Sequence, residues 1–577
     1  MRTTCPLDCY DACSVVYDGK KLSGDKEHTF TNGHLCPNLH HYLNEPRIQN
    51  ARFNGKEITN EEALNILYEK LKDSHDKKTL LFKSSGNFGY MQNITKEFFS
   101  KYGSTFTRGN LCDSGGEAGV IEGRGKNYSL TPSQIKKSKV VVVWGRNIDS
   151  TNSHLLEIIK DKILIFIDPV KTSLAKKADI HLQIKPRSDF ELAMLFCRFA
   201  YMEQMEDEEW IAKHGSDFDY FLNFFRSYTV NQLLDSTEVV IEDFLTALML
   251  IKDTPTSFLV GNGVSKYTNS NEILRAIDSF VAMLGYFGKE GCGVGFLGNS
   301  TLGYELPFSN YNVKTTPMAT VDFGEFDLVF IQGANPANQM PNTNQVFDGL
   351  KKSKFVVYYG LFENQTSALA DLVIPSVNFL AKQDVRFSYS HEFVGVMPKL
   401  KEEEFGVSEY NLTKYLLARF DYQNLEPKSK YIEKIIESNS NFENHYITSK
   451  SYDTLPYSEE DFHFEFIDDC EDDSELKDKE GLYLITPKYK YSLNSQFKTD
   501  SFVYINPSLG YQDSEDVKIS SEYGELTLKV KISGDLREDS IMIYSGVDGV
   551  NKLTPSFLSL EGDGACFQEI KVKIERA

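Results

Sequence analysis

A chain of 577 residues is too long for one core and predicts roughly two to four domains. Its 41% hydrophobic and 13% aromatic residues describe an ordinary globular protein, and a formal net charge of −21 excludes non-specific binding to nucleic acid. No uninterrupted apolar run is long enough to span a bilayer, so no membrane insertion is expected.

The first element is a run of cysteines. Cys5, Cys9, Cys13 and Cys36 follow the spacing C-x3-C-x3-C-x22-C. Three thiolates in nine residues can converge on one small object, and a fourth from a later loop closes the set. Four cysteines suit a [4Fe-4S] cluster. Zinc also accepts four thiolates, although its cysteines usually come as two separated pairs. A disulfide reading is weaker, because no apolar leader precedes the motif. The other five cysteines (Cys112, Cys197, Cys292, Cys470, Cys566) are scattered, which predicts reduced thiols and a cytoplasmic protein. His40 and His41 are expected on a helix or turn behind Cys36, outside any ligand set.

Next comes a helix over Ile58–Lys72, with a capping box at Thr59 and Glu62 and an apolar face of Ala63, Ile66, Leu67 and Leu71. Short apolar runs then alternate with helical patterns. Thr79–Phe82, Lys139–Trp144, Ile163–Ile167, Phe258–Val260, Leu328–Ile331 and Phe355–Tyr358 read as strands buried on both faces. Such strands alternating with helices predict an α/β fold of parallel sheets with flanking helices. From Glu459 to Glu475 ten acidic residues occur without a lysine or arginine, a composition expected of solvated linker or surface. Beyond Leu482, Val517–Ser521, Glu525–Ile532 and Ile541–Tyr544, with a turn at Tyr523-Gly524, predict a C-terminal β-domain.

The strand ends carry the chemistry. Trp144-Gly145-Arg146-Asn147 follows one strand, Ile167-Asp168-Pro169 with Lys171-Thr172 another, and Gly333-Ala334-Asn335-Pro336 a third. In open α/β sheets ligands bind beyond the carboxyl ends of strands, and polar Gly/Asn/Asp turns there suit a phosphate-bearing, nucleotide-like ligand. Each turn taken alone is only a turn. No G-x-G-x-x-G or G-x-x-x-x-G-K-[ST] motif opens a helix, so ordinary NAD or ATP sites are not indicated.

Together these segments resemble the molybdopterin oxidoreductases of the dimethyl-sulfoxide-reductase superfamily. The resemblance runs through CPLDCYDAC (Cys5–Cys13) with GHLC (Gly33–Cys36), KEITNEEALNIL (Lys56–Leu67), VVWGRN (Val142–Asn147), IDPVKT (Ile167–Thr172) and KPRSDFELA (Lys185–Ala193). It continues through GANPANQMPN (Gly333–Asn342), ADLVIPSVNFLAKQD (Ala370–Asp384), TPKYKYSLNSQF (Thr486–Phe497) and NKLTP (Asn551–Pro555). It implies a small iron–sulfur domain at residues 1–52, interleaved molybdopterin-binding α/β domains at 53–400, a variable acidic segment at 401–480 and a dinucleotide-binding β-barrel at 481–577. The implied cofactors are molybdenum or tungsten held by two molybdopterin guanine dinucleotides, and one [4Fe-4S] cluster.

By the same resemblance Asp168 takes the guanosine ribose and Asp189 the guanine edge. Trp144, Gly145, Asn147, Thr172, Gly333, Asn335 and Pro336 line the dinucleotides, and Asn494, Ser495, Gln496 and Asn551 reach them from the barrel. Cys112 lies six residues before Ala118-Gly119, the distance at which the family's cysteine or selenocysteine metal ligand stands. The alternative for Cys112 is a free thiol in a glycine-rich loop. Two positions depart from the family. Asp113 stands where formate dehydrogenases carry histidine, and is read either as a proton relay or as a helix cap. Pro37 and Asn38 occupy positions where many relatives carry a lysine. Glu117 and Arg124 are read as either facing a substrate or else paired in a salt bridge or exposed to solvent. The implied function is two-electron oxygen-atom or hydride-type transfer on a small substrate, with electrons leaving through the cluster to a protein partner or subunit. The alternatives are a hydratase or transhydroxylase of the same family, and a non-catalytic electron-transfer subunit.

Overall fold

The computed structural model describes residues 1–74, 78–85, 89–298, 301–402, 405–443, 445–472, 474–497 and 499–577. The chain divides into two compact units. One comprises Met1–Arg108, Ser300–Ser451 and Ser495–Phe497; the other comprises Gly109–Asn299, Tyr452–Asn494 and Lys498–Ala577.

The first unit is built on an eight-stranded sheet in the order Thr315–Pro317, Thr105–Arg108, Thr79–Lys83, Leu328–Gln332, Phe355–Gly360, Leu372–Pro375, Ala51–Phe53, Lys56–Ile58. Six strands run parallel and the last two close the edge as an antiparallel hairpin. The runs read as buried on both faces are so: all five residues of Leu328–Gln332 are inaccessible. The helix Asn60–Asp73 packs on this sheet through Ala63, Leu67 and Leu71. It begins after Thr59 because both halves of the capping box form, Glu62 accepting from the Thr59 amide at 2.8 Å. Two smaller sheets complete the unit, Arg2–Thr4 with Ser14–Tyr17 and Leu22–Gly24, and a four-stranded one between Asp384 and Ser449.

The second unit contains a five-stranded parallel sheet in the order Ile180–Leu182, Ile163–Ile167, Val140–Trp144, Thr256–Val260, Gly293–Gly295. A six-stranded closed barrel holds the C-terminal strands around Val503, Ile505, Val517, Ile519, Val530 and Val572. The acidic run is not a solvated linker. Phe464, Phe466 and Ile467 within it are fully buried, and Asp472 pairs with Arg187 at 2.7 Å. Alternation of acidic with aromatic residues, rather than net charge, decides its place: the aromatics bury while the carboxylates stay wet or paired. No helix among the described residues is long and apolar enough to cross a membrane.

Candidate functional site

Both sheets are doubly wound, and each therefore has a switch point at which the chain leaves in opposite directions. In the first unit it lies between Thr79–Lys83, from which the chain proceeds to Thr105–Arg108, and Leu328–Gln332, from which it proceeds the other way. In the second it lies between Val140–Trp144 and Thr256–Val260. The same device follows a switch-point strand in each unit. Trp144 is followed by Gly145 (φ +57°), Arg146, Asn147 and the short helix Ile148–Thr151. Gln332 is followed by Gly333 (φ +56°), Ala334, Asn335 and the short helix Pro336–Gln339. The glycine amide of each binds a carbonyl at the end of the neighbouring strand, Gly145 to Ile167 at 2.8 Å and Gly333 to Tyr359 at 2.9 Å. Only glycine enters the left-handed region at so little cost.

In the second unit the loops after both switch-point strands approach very closely. A Cβ on Gly261 would lie 2.4 Å from the Gly145 carbonyl oxygen, and one on Gly263 2.7 Å from it. Beside this contact Asn147 Oδ1 and Asn262 Oδ1 are buried without a hydrogen bond among the described residues. Buried acceptors of this kind need donors, and a ligand rich in hydroxyl and amino hydrogens supplies them. Asp168 accepts the Val170 amide at 2.8 Å, and burial, with the charge of Asp189, pushes its carboxyl up to about 7. Asp189 accepts the Trp144 indole N–H at 2.7 Å and is pushed up to about 6, again chiefly by burial. Trp144 is fully buried and acts here by holding Asp189. Thr172 Oγ accepts the Ala175 amide at 3.2 Å, Asn551 sits on a buried turn of the barrel, and Asn494 adopts φ +52°. This acceptor-rich lining suits the hydroxyl and amino hydrogens of a nucleoside.

These raised carboxyls have a consequence for stability. An aspartate near 3.9 when unfolded and near 7 when folded favours the folded state below both values. That advantage is lost as pH rises through the folded value. The melting temperature of the cofactor-free protein should therefore fall between about pH 4 and about pH 7, and fall less steeply in Asp168→Asn, as read by thermal scans across that range.

In the first unit Asn335 is drawn into a network. Its side chain accepts from the Thr366 hydroxyl at 2.9 Å and donates to Gln365 at 2.8 Å and to Ser495 Oγ at 3.0 Å. Two expected cofactor residues far apart in sequence are thus joined, with Pro336 opening the adjacent helix and Gln496 half-buried next to Ser495.

The N-terminal cysteines also lie in the first unit. Cys5 and Cys13 are buried, Cys9 and Cys36 half-buried, and none of the nine cysteines forms a disulfide. Burial pushes the Cys9 thiol up to about 12 and the Cys5 and Cys13 thiols well up; the charge of neighbouring cysteines adds to the effect, while that of Arg386 opposes it at Cys5 and Cys9. Thiolates at such a site require a cation, which an iron–sulfur cluster or zinc provides. His40 and His41 are exposed on the helix Pro37–His41. The segment Arg386–His391, which carries no recognisable motif, ties down the cysteine loop. Arg386 donates to the Leu7 and Cys9 carbonyls at 2.9 and 3.1 Å, Ser388 and Ser390 to that of Tyr10, and His391 Nε2 lies 2.7 Å from that of Asp11.

Cys112 lies in the second unit on a loop locked from three sides. Asn110 Oδ1 accepts the amides of Cys112, Asp113 and Ser114 at 2.7, 2.8 and 3.2 Å. Asp113 holds the N-cap position of the helix Ser114–Arg124 but makes no capping bond; Asn110 does that work. Ser265 Oγ donates to the Cys112 carbonyl at 3.0 Å, and the half-buried Lys266 ammonium donates to the Leu111 and Cys112 carbonyls. Glu117 is pushed up to about 7 by burial and by the charge of Asp113. Arg124 faces no substrate: it forms a bidentate pair with Asp278, both side chains fully buried.

Two parallel sheets with glycine–asparagine turns at their switch points, one with a barrel in the same unit, place loops where open α/β folds bind ligands. The chain belongs to the molybdopterin oxidoreductase family, which it matches over residues 43–397; residues 482–570 match the molybdopterin dinucleotide-binding domain. It is 29% identical to a probable oxidoreductase, YyaE, of Bacillus subtilis, over 70% of this chain and 66% of that protein. It is 24% identical to the assimilatory nitrate reductase catalytic subunit of the same organism, over 66% of this chain and 62% of the relative. To the F420-dependent formate dehydrogenase subunit alpha of Methanocaldococcus jannaschii it is 22% identical over 94% of both chains. The chain thus spans about two thirds of the first relative's length and less of the second. Acetylene hydratase from Pelobacter acetylenicus shares the fold, with a TM-score of 0.81 at 16% identity over 100% of both chains.

Proposed function

We propose that the protein is a molybdenum- or tungsten-dependent oxidoreductase holding two pterin guanine dinucleotides, with a [4Fe-4S] cluster at Cys5, Cys9, Cys13 and Cys36 as its electron port. The observation that carries this reading is the repeated strand–Gly–x–Asn–helix device, once at each switch point. When bound, the metal–dithiolene group supplies two-electron oxygen-atom or hydride-type transfer.

The chain's own residues bind and orient. Asp168 and Asp189 accept the hydrogens of one guanosine, while Gly145, Asn147 and Thr172 line its phosphates and Asn494 and Asn551 contribute from the barrel side. Gly333, Asn335 and Pro336, with Ser495 and Gln496, serve the other dinucleotide. Cys112 offers a soft thiolate to the metal, on a loop fixed by Asn110, Ser265 and Lys266. Glu117, titrating near neutrality, holds a proton five residues from that thiol. Asp113, whose charge acts on Glu117, is read as the relay rather than as a cap. Reduced thiols support a cytoplasmic setting, and the electrons pass to a separate protein or subunit. The test is a dye-linked screen of the anaerobically purified protein with formate, nitrate, aldehydes, N-oxides and S-oxides. Dye turnover with one of these is expected. A metal-loaded protein that is inert with all of them yet hydrates acetylene would overturn the redox reading in favour of a hydratase.

A further inference from the structure

The geometry points to Arg386 as the charge that sets the reduction potential of the N-terminal cysteine site. The inference rests on that site holding an iron–sulfur cluster. Arg386 is 0% exposed, and a guanidinium stays charged at any accessible pH. Burying it is costly unless its hydrogens and charge are answered. Its Nη2 binds the carbonyls of Leu7 (2.9 Å) and Cys9 (3.1 Å), and Leu7 in turn donates its amide to Cys5 Sγ at 3.4 Å.

Its position is rigid. The strand Asp384–Arg386 pairs antiparallel with Phe393–Met397, and Asp384 Oδ1 accepts the Met91 amide at 2.8 Å. Beyond it Ser388, Ser390 and His391 bind successive backbone groups of the cysteine loop, so loop and cation keep a fixed separation. A cluster gains one negative charge on reduction. In a poorly solvated site a fixed cation favours the reduced form and a fixed anion the oxidised form. Arg386 therefore raises the potential. Arg386 is a positioning residue that touches backbone, not a ligand.

The test is an anaerobic redox titration of the holoprotein, followed by electron paramagnetic resonance of the reduced cluster, in wild type, Arg386→Lys, Arg386→Met and Arg386→Gln. The expected result is a shift to more negative potential in Arg386→Met and Arg386→Gln, and near wild-type behaviour in Arg386→Lys. An iron-loaded Arg386→Met protein at the wild-type potential overturns the inference. Should that variant fail to take up iron, an unchanged potential in Arg386→Gln, which keeps a donor to the Leu7 and Cys9 carbonyls, overturns it instead. Wild-type protein without iron overturns the cluster reading, and this inference with it.

Discussion

Replacing Cys112 by serine should abolish turnover while leaving the iron–sulfur spectrum and the guanine dinucleotide content unchanged. Serine keeps the shape of the loop, because Asn110, Ser265 and Lys266 hold backbone groups of residues 111–114. What is lost is the soft donor, and hydroxyl oxygen is a poor replacement for thiolate at a metal already bound by sulfur. Loss of a residue that only supports a metal ligand costs about 10–100-fold in affinity or activity. Loss of the ligand itself should exceed that range. Steady-state kinetics of the metal-loaded variant check this, and retained activity would remove Cys112 from the site.

The second large effect is expected at Asp278. Its bidentate pair with Arg124 is fully buried, and Arg124 also donates to the Val294 carbonyl at 3.0 Å. A buried pair adds little net stability relative to apolar residues, but removing one partner strands the other charge, at a cost of about 3–5 kcal/mol. Asp278→Ala should therefore lower the unfolding free energy by about that amount, as measured by denaturant titration. The double substitution Arg124→Met with Asp278→Leu should recover most of it, since neither charge remains. The pair joins the helix Ser114–Arg124 to Ser270–Met283, which pack so closely that a Cβ on Gly119 would lie 2.1 Å from the Asn271 carbonyl oxygen. The first of these helices begins two residues after Cys112, so Asp278→Ala also loosens the candidate ligand.

Much of the fold was legible because its signals are local. Runs such as Val140–Trp144 are short, β-branched and apolar throughout, which suits only a strand covered on both faces. The capping box at Thr59 and Glu62 is complete within four residues and located the first long helix. Belonging to the molybdopterin oxidoreductase family was legible from the order of many short segments.

What remained hidden depends on distance in the chain. Arg386 and its neighbours grip the cysteine loop from more than 370 positions away, and nothing in RFSYSH marks it as a partner of CPLDCYDAC. Both strand-end turns were legible as polar ligand-binding loops, but not as a repeat, because only a glycine and an asparagine are shared between Gly145-Arg146-Asn147 and Gly333-Ala334-Asn335; the likeness lies in backbone conformation. Asn110 was overlooked as a cap because Asp113 is the better capping residue by type and position. The amides were already taken by a side chain reaching forward from the preceding turn.

The most direct test of the account is the composition of the anaerobically purified protein. Elemental analysis, with chromatography of the nucleotide released by acid, should find about one molybdenum or tungsten, about two guanine dinucleotides and about four iron atoms per chain. Iron alone, with no second metal and no guanine nucleotide, would contradict it.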